Sequence, residues 1–180
     1  MNYGNGILSF KNFLTAVLFA LTFISLTKAQ EMTPPKPVES SYFDKWVGTW
    51  VGENAHGGSP GKQTIVCAWD LNHQFLVVNV TGTNEKNPDF VYKGTGYYTI
   101  DKNGNYTGYW FDVFGAAGVS ESSGKVSGSK LEGNVTAQGY TGIEWAEFKS
   151  ENEILMGSKG EYEFNGQKMP FESVSTYRKK

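Results

Sequence analysis

The chain has 180 residues, of which 39% are hydrophobic, and its 16 basic and 18 acidic side chains give a formal net charge of −2. That length suits one domain with a sizeable core, and the slight acidity argues against nucleic acid, whose phosphates require a basic surface. A single cysteine, Cys67, excludes an intrachain disulfide, so packing alone must hold the fold. No histidine or helix start lies nearby to activate the thiol, so we expect Cys67 to be a small buried hydrophobe.

The first 29 residues are typical of a secretory signal peptide. Lys11 supplies a weakly positive start, residues 13–26 form an apolar run of 14, and small residues precede a predicted cleavage after Ala29. A membrane span needs about 20 apolar residues, so a cleaved signal is favoured over an N-terminal anchor. Removing 29 of the 180 residues, two of them basic, leaves 151 with 14 basic and 18 acidic side chains. We therefore predict a secreted or periplasmic protein without a membrane span.

A polar linker and a short helix are predicted ahead of the first strand. Residues 30–40 contain three prolines, which exclude a helix and favour an extended segment. Residues 41–45 predict one helical turn, capped by Ser40 or Ser41, in a position to plug one end of a barrel. Residues 46–53, WVGTWVGE, predict the first β-strand.

Nine further strands are predicted, separated by turns rich in Gly, Asn and Ser. They span 62–70, 75–83, 90–100, 105–114, 119–126, 130–137, 141–149, 153–159 and 169–178. The Asn103-Gly104 pair predicts a hairpin between two of them. No connection is long enough for a parallel crossover, so the pattern indicates an all-β sandwich or barrel. Glycines within strands, such as Gly94 and Gly108, supply the bends that closure requires. We predict one antiparallel up-and-down barrel of about ten strands over 41–180, with a sandwich as the alternative.

The first strand resembles that of the calycins, the group of lipocalins and fatty-acid-binding proteins, because Gly48-Thr49-Trp50 fits their Gly-x-Trp pattern. This resemblance implies that Trp50 packs at the closed end of the barrel, beneath an Arg or Lys of the last strand. The candidate here is Arg178. An arginine over an indole is worth about 0.5–2 kcal/mol, and this one would join the first strand to the last.

Longer phrases resemble the DUF1579 family, and the opening phrase also resembles nitrobindin-like haem barrels. They are WVGTWVGE at 46–53, AWDL at 68–71, GTGYY at 94–98, YWFD at 109–112 and TYRK at 176–179. The resemblance covers nearly all of residues 42–180 and implies a calycin-like barrel. It implies no activity, because the biochemical role of the DUF1579 family is not established.

A closed barrel of this size encloses room for a small ligand. The predicted ligand-contacting residues are Trp69, His73 near a rim, Tyr97, Trp110 and Asp112. Strand alternation places Asp112 on the same face as Trp110. An inward carboxylate there needs a partner such as Lys, Arg or a ligand cation, whereas one at the barrel mouth would be hydrated. The main hypothesis is a lipocalin-like barrel that binds a small apolar or amphipathic molecule, and the sequence does not predict its oligomeric state.

Three alternatives remain open. The first is an enzyme that uses cavity carboxylates such as Asp70, Asp112 and Glu144. The second is a barrel with a filled interior that serves a structural or partner-binding role. The third is haem binding, which is disfavoured because nitrobindin-like barrels use a histidine near the C-terminus, whereas His56 and His73 both lie in the first half. No Cys/His metal spacing and no catalytic triad pattern is present, so no cofactor and no catalytic residue are predicted.

Overall fold

A computed structural model describes residues 33–53 and 61–180, so the predicted signal peptide at 1–29 and His56 lie outside the described residues. The compact unit Pro37–Lys180 contains one short helix followed by ten strands. The elements are α1 Ser41–Trp46, β1 Gly48–Glu53, β2 Lys62–Asp70, β3 Phe75–Asn84, β4 Asn87–Ile100, β5 Asn105–Asp112, β6 Ser120–Ser127, β7 Lys130–Ala137, β8 Tyr140–Ser150, β9 Glu153–Phe164 and β10 Gln167–Lys179. A 3₁₀ turn at Gly115–Gly118 links β5 to β6. Within the two described ranges, no helix has the length and apolar character of a membrane span.

The ten strands form one closed antiparallel barrel. Each strand pairs with its neighbours along the chain, and β1 closes the ring by pairing with β10, with Trp50 opposite Lys179 and Gly52 opposite Tyr177. The prediction of a ten-stranded up-and-down, calycin-like barrel is therefore confirmed, and the sandwich alternative is wrong. This pairing covers the edges of β1 and β10 where the two strands meet.

The predicted strand limits agree with the structure at most positions, and β2 and β7 have the predicted bounds. Trp46 is an exception, because it ends α1 and does not begin β1. The Ser40 hydroxyl accepts a hydrogen bond from the Phe43 backbone N–H at 3.2 Å and caps the helix. Tyr42, Phe43 and Trp46 then lie on one buried face of the helix. The helix therefore includes Trp46, one residue beyond the predicted end at residue 45.

Helix α1 closes one end of the barrel, which we call the closed end. The Tyr42 hydroxyl donates to the carbonyl oxygen of Ala146 at 2.8 Å, and the Trp50 indole donates to the carbonyl oxygen of Trp46 at 2.7 Å. The rings of Trp46 and Trp50 each lie 5.8 Å from that of Phe148. The predicted plug is therefore present, and Trp50 is fully buried within it.

Aromatic side chains cross the barrel interior over glycines of neighbouring strands. Gly94 and Gly96 lie beneath the Trp110 indole, and Gly108 lies beneath the Tyr98 ring. A Cβ atom at Gly94 would overlap the indole. These inward glycines make room for rings that are too large for an interior lined by side chains at every position.

Candidate functional site

The barrel encloses a cavity of about 270 Å³ between α1 and the opposite, open end. Phe43 and Trp46 form its floor. Most of the remaining wall is apolar and comprises Ile65, Leu76, Val78, Val80, Trp110, Leu131, Ala146 and Met156. The volume lies near the lower bound of ligand pockets, about 300 Å³, so it suits a ligand of one or two rings.

Glu144 on β8 is the charged group of the cavity wall. The Tyr106 hydroxyl donates to its Oε1 at 3.0 Å, and Ser122 supplies a second hydrogen bond. Burial raises the pKa of the Glu144 carboxyl above its ordinary value of 4.5, although these two hydrogen bonds favour the ionised form. Among the described residues that line the cavity, no Lys, Arg or His offsets the charge of Glu144.

A chain of hydrogen bonds leads from the cavity towards the open end. Trp110 Nε1 donates to the Tyr92 hydroxyl at 3.1 Å, and this hydroxyl donates to Asp112 Oδ2 at 3.0 Å. Asp112 Oδ1 accepts from the Phe114 backbone N–H at 2.9 Å. Burial is the main reason that the pKa of Tyr92 is raised, so its hydroxyl stays neutral. The hydrogen-bond donors to Asp112 are thus the Tyr92 hydroxyl and the Phe114 backbone N–H.

Three serines form a polar stripe on β9 and β10. Ser158 and Ser173 are register partners, and Ser175 follows on the same face of β10. Next to them, Gln63 of β2 accepts a hydrogen bond from the Tyr177 hydroxyl. By strand order, β10 lies half a circumference from β5, which carries Trp110. A ligand in the cavity therefore meets hydroxyl groups on one side and an indole on the other.

The predicted ligand-contacting residues do not form one group. Trp110 lines the cavity, and Asp112 is linked to Trp110 by hydrogen bonds through the Tyr92 hydroxyl. Tyr97 points away from the interior, where its ring meets Phe75 at 6.4 Å, and its neighbour Tyr98 lines the cavity instead. Strand alternation explains this correction, because adjacent residues of β4 face opposite sides.

Trp69 and His73 lie at the closed end, outside the cavity lining. Trp69 Nε1 donates to Asp44 Oδ1 of α1 at 2.9 Å, and its ring lies 4.1 Å from the His73 ring. His73 ends a run of three residues with positive φ, from Leu71 to His73, in the β2–β3 turn. The carbonyl oxygen of His73 accepts from the Val38 backbone N–H at 2.9 Å. These residues join the helix to the strands, and a ligand in the cavity would not contact them.

The cation over Trp50 is Lys179, so the assignment to Arg178 is wrong. Lys179 Nζ lies 5.2 Å from the Trp50 ring centroid and donates to the Lys45 carbonyl oxygen at 3.1 Å. Arg178 faces outward, with its side chain 71% exposed, and pairs with Glu153 at 2.9 Å. The shift by one residue follows from the register, which places Lys179 opposite Trp50.

The carboxylates of the enzyme hypothesis occupy different parts of the barrel. Asp70 is exposed at the β2–β3 turn, where its Oδ1 accepts from the Leu71 backbone N–H at 2.7 Å. Asp112 lies beyond Tyr92, and Glu144 is the acidic side chain of the cavity wall. In the part of the chain that the structure describes, no three His, Cys, Asp or Glu side chains gather as a metal site. Burial raises the pKa of Cys67 to about 12, which leaves its thiol protonated.

The polar cavity residues outside the predicted ligand set are Gln63, Tyr92, Tyr98, Glu144 and the serine stripe. Among them, Glu144 belongs to the carboxylates of the enzyme hypothesis. The inward face of β8 alternates as Tyr140, Gly142, Glu144, Ala146 and Phe148. One acid on an otherwise apolar strand face is a pattern that the sequence already contains, and it identifies Glu144.

Solved structures that share this fold include two proteins at 12% identity. "Crystal Structure of Rv2717c from M. tuberculosis" aligns with a TM-score of 0.59 at 12% identity, covering 78% of this chain and 99% of that one. The S-type phycobiliprotein lyase CPES from Guillardia theta aligns with a TM-score of 0.59 at 12% identity, covering 77% and 90%. Identity this low supports a common fold and nothing finer.

No family model matches the chain, and no curated protein matches it at a significant level. Membership of the DUF1579 family therefore stays a prediction.

Proposed function

We propose that this protein is a small-molecule-binding barrel, with a ligand that is largely apolar and carries one or a few polar groups. The observation that carries this proposal is the cavity of about 270 Å³, with apolar walls and a few convergent polar groups. Such a combination is the usual form of a ligand site. A barrel with a filled interior would leave no such space.

Several polar groups of the cavity lie together on one part of its wall. Glu144, Ser158 and Ser173 lie on three successive strands, while apolar side chains cover the floor. A ligand would therefore bury its apolar body against Phe43 and Trp46 and direct its polar group to the wall of β8 to β10. Burying a ring of this size from water supplies most of the affinity, at about 25 cal/mol per Å² of apolar surface.

The test is calorimetric titration of the folded protein with 2-naphthylmethanol, a two-ring neutral amphipathic probe. We expect saturable one-to-one binding with a micromolar Kd. Val80→Phe fills part of the cavity and should weaken binding at least tenfold, because Val80 lines it.

Val174→Phe is the matched control, since Val174 lies on β10 with 53% of its surface exposed. It should leave the Kd unchanged. Near-UV circular dichroism verifies that both variants are folded. If the folded wild-type protein binds neither this probe nor 2-naphthylmethylamine, a probe of equal size with a basic nitrogen, the proposal is wrong.

A further inference from the structure

Glu144 places an acid in a cavity that holds no basic side chain among its described lining residues. One of its oxygens accepts from the Tyr106 hydroxyl at 3.0 Å. A carboxylate removed from water is costly unless a positive charge or several donors compensate it. Ser122 and Tyr106 supply two neutral donors, and none of the described residues that line the cavity is a Lys, Arg or His.

The lysines nearest the closed end have other partners. Lys179 Nζ lies over Trp50, Lys45 Nζ lies 5.8 Å from the Phe148 ring centroid, and Lys149 pairs with Glu147 at 2.6 Å. The groups that face Glu144 from other elements are the hydroxyls of Tyr42 on α1, Tyr98 on β4, Tyr106 on β5 and Ser122 on β6. Burial raises the pKa values of these three tyrosines, so they remain neutral donors.

Aromatic rings make up much of the remaining wall. Trp46, Tyr92, Tyr98 and Trp110 all line the cavity. The face of an aromatic ring attracts a cation by about 0.5–2 kcal/mol, and more strongly when water is excluded. A single acid among such rings gives the cavity a negative potential that nothing in its described lining neutralises.

We propose that the ligand is a cationic amphiphile, with an aromatic or other compact apolar body and a basic nitrogen that binds Glu144 as an ammonium ion. This inference rests on the proposed function and specifies its ligand class. The apolar body would lie on the floor of Phe43 and Trp46, and the ammonium group would pair with the Glu144 carboxylate beside Tyr106.

The test compares two probes of equal size, 2-naphthylmethylamine and 2-naphthylmethanol, by calorimetry at pH 7.5. We expect the amine to bind at least tenfold more tightly than the alcohol. Glu144→Gln keeps the shape and the hydrogen bond from Tyr106 but removes the charge, so it should abolish this preference. Glu147→Gln is the matched control on the same strand, because Glu147 does not line the cavity and pairs with Lys149.

Acid should weaken amine binding in the wild-type protein. Protons compete with the ammonium group for the Glu144 carboxylate, so the amine Kd should rise as the pH falls towards the pKa of Glu144. Because burial places that pKa above 4.5, the loss begins above pH 4.5. The alcohol Kd should stay constant over the same range.

The outcomes separate the two proposals. Equal affinity for amine and alcohol in the wild-type protein, or a preference that survives in Glu144→Gln, would overturn the cationic ligand while leaving the binding barrel intact. Failure of both probes to bind would overturn the binding barrel itself. If Glu144→Gln does not fold, the wild-type comparison of the two probes and their pH profiles still decides the question.

Discussion

Adjacent side chains at the end of β10 point to opposite faces of the strand. Lys179 is held over Trp50, whereas Arg178 lies in solvent beside Glu153. The resemblance to calycins implies a cation of the last strand near Trp50, but only the register between β1 and β10 decides which one it is. The same limit applies to Tyr97 and Tyr98, where a one-residue difference reverses the face. Gly94, Gly96 and Tyr98 are alternate residues of β4 and therefore share one face of the strand. Because the two glycines lie beneath an inward ring, this pattern would have assigned Tyr98 to the interior.

Replacing the two cations one at a time separates these roles. Lys179→Met keeps the apolar stem but loses the contact with Trp50 and the hydrogen bond to the Lys45 carbonyl. We expect the free energy of unfolding to fall by about 1–2 kcal/mol. Urea denaturation followed by tryptophan fluorescence measures this loss.

Arg178→Met is the control for that substitution. It removes an exposed ion pair with Glu153, which is worth about 0.2–1 kcal/mol. A larger loss from Arg178→Met than from Lys179→Met would contradict the structural role of Lys179.

Among the features of the elements, the positions of the strands along the chain were the most predictable. Which side chains of a strand face the barrel interior was the least predictable. Turn residues mark the limits of β2 and β7 because backbone conformation is a local property. The Asn103-Gly104 hairpin forms as expected, with Gly104 at φ +82°. Trp46 was misplaced because a tryptophan suits both a helix end and a strand, and its burial against Phe148 decides between them.

The aromatic rings that cross neighbouring strands depend on small residues beneath them. Gly94→Ala would push a methyl group into the Trp110 indole, so we expect a loss of about 1–3 kcal/mol in the free energy of unfolding. The displaced ring should also shift the emission maximum of tryptophan fluorescence and weaken binding of 2-naphthylmethanol.

Lys93→Ala changes the preceding, outward-facing residue of the same strand and should alter stability by less than about 0.5 kcal/mol. If Gly94→Ala proves equally mild, the indole has room to move and the interior is less tightly packed than the structure indicates.

For the whole molecule, closure of the barrel was predictable because many local features agree on it. Ten short strands, tight turns and glycines within strands all favour the same architecture. A cavity was expected from closure, but its size was not predictable in the same way. The space that remains depends on how every inward side chain packs at once, and no single segment of the sequence encodes a volume of about 270 Å³.

We also propose that the chain is exported, on the basis of the apolar segment at 13–26 and the small residues before Gln30. The mature protein is then expected to begin at Gln30. N-terminal sequencing of protein secreted or released from the periplasm of an expressing cell would show this start. Recovery of the intact chain with Met1 in the membrane fraction would instead favour an uncleaved anchor.

The pairing of β1 with β10 has a consequence for synthesis. Closure joins Gly52 to Tyr177 and Trp50 to Lys179, so the contact that completes the barrel spans most of the chain. The Lys180 backbone N–H donates to the Thr49 carbonyl oxygen at 2.9 Å, so Lys180 also takes part in this closure. Until β10 has left the ribosome, β1 and β9 must each present an unpaired edge, and such edges invite pairing with other chains. Of the ten strands, β10 is synthesised last, so the barrel can close only after the other nine have emerged.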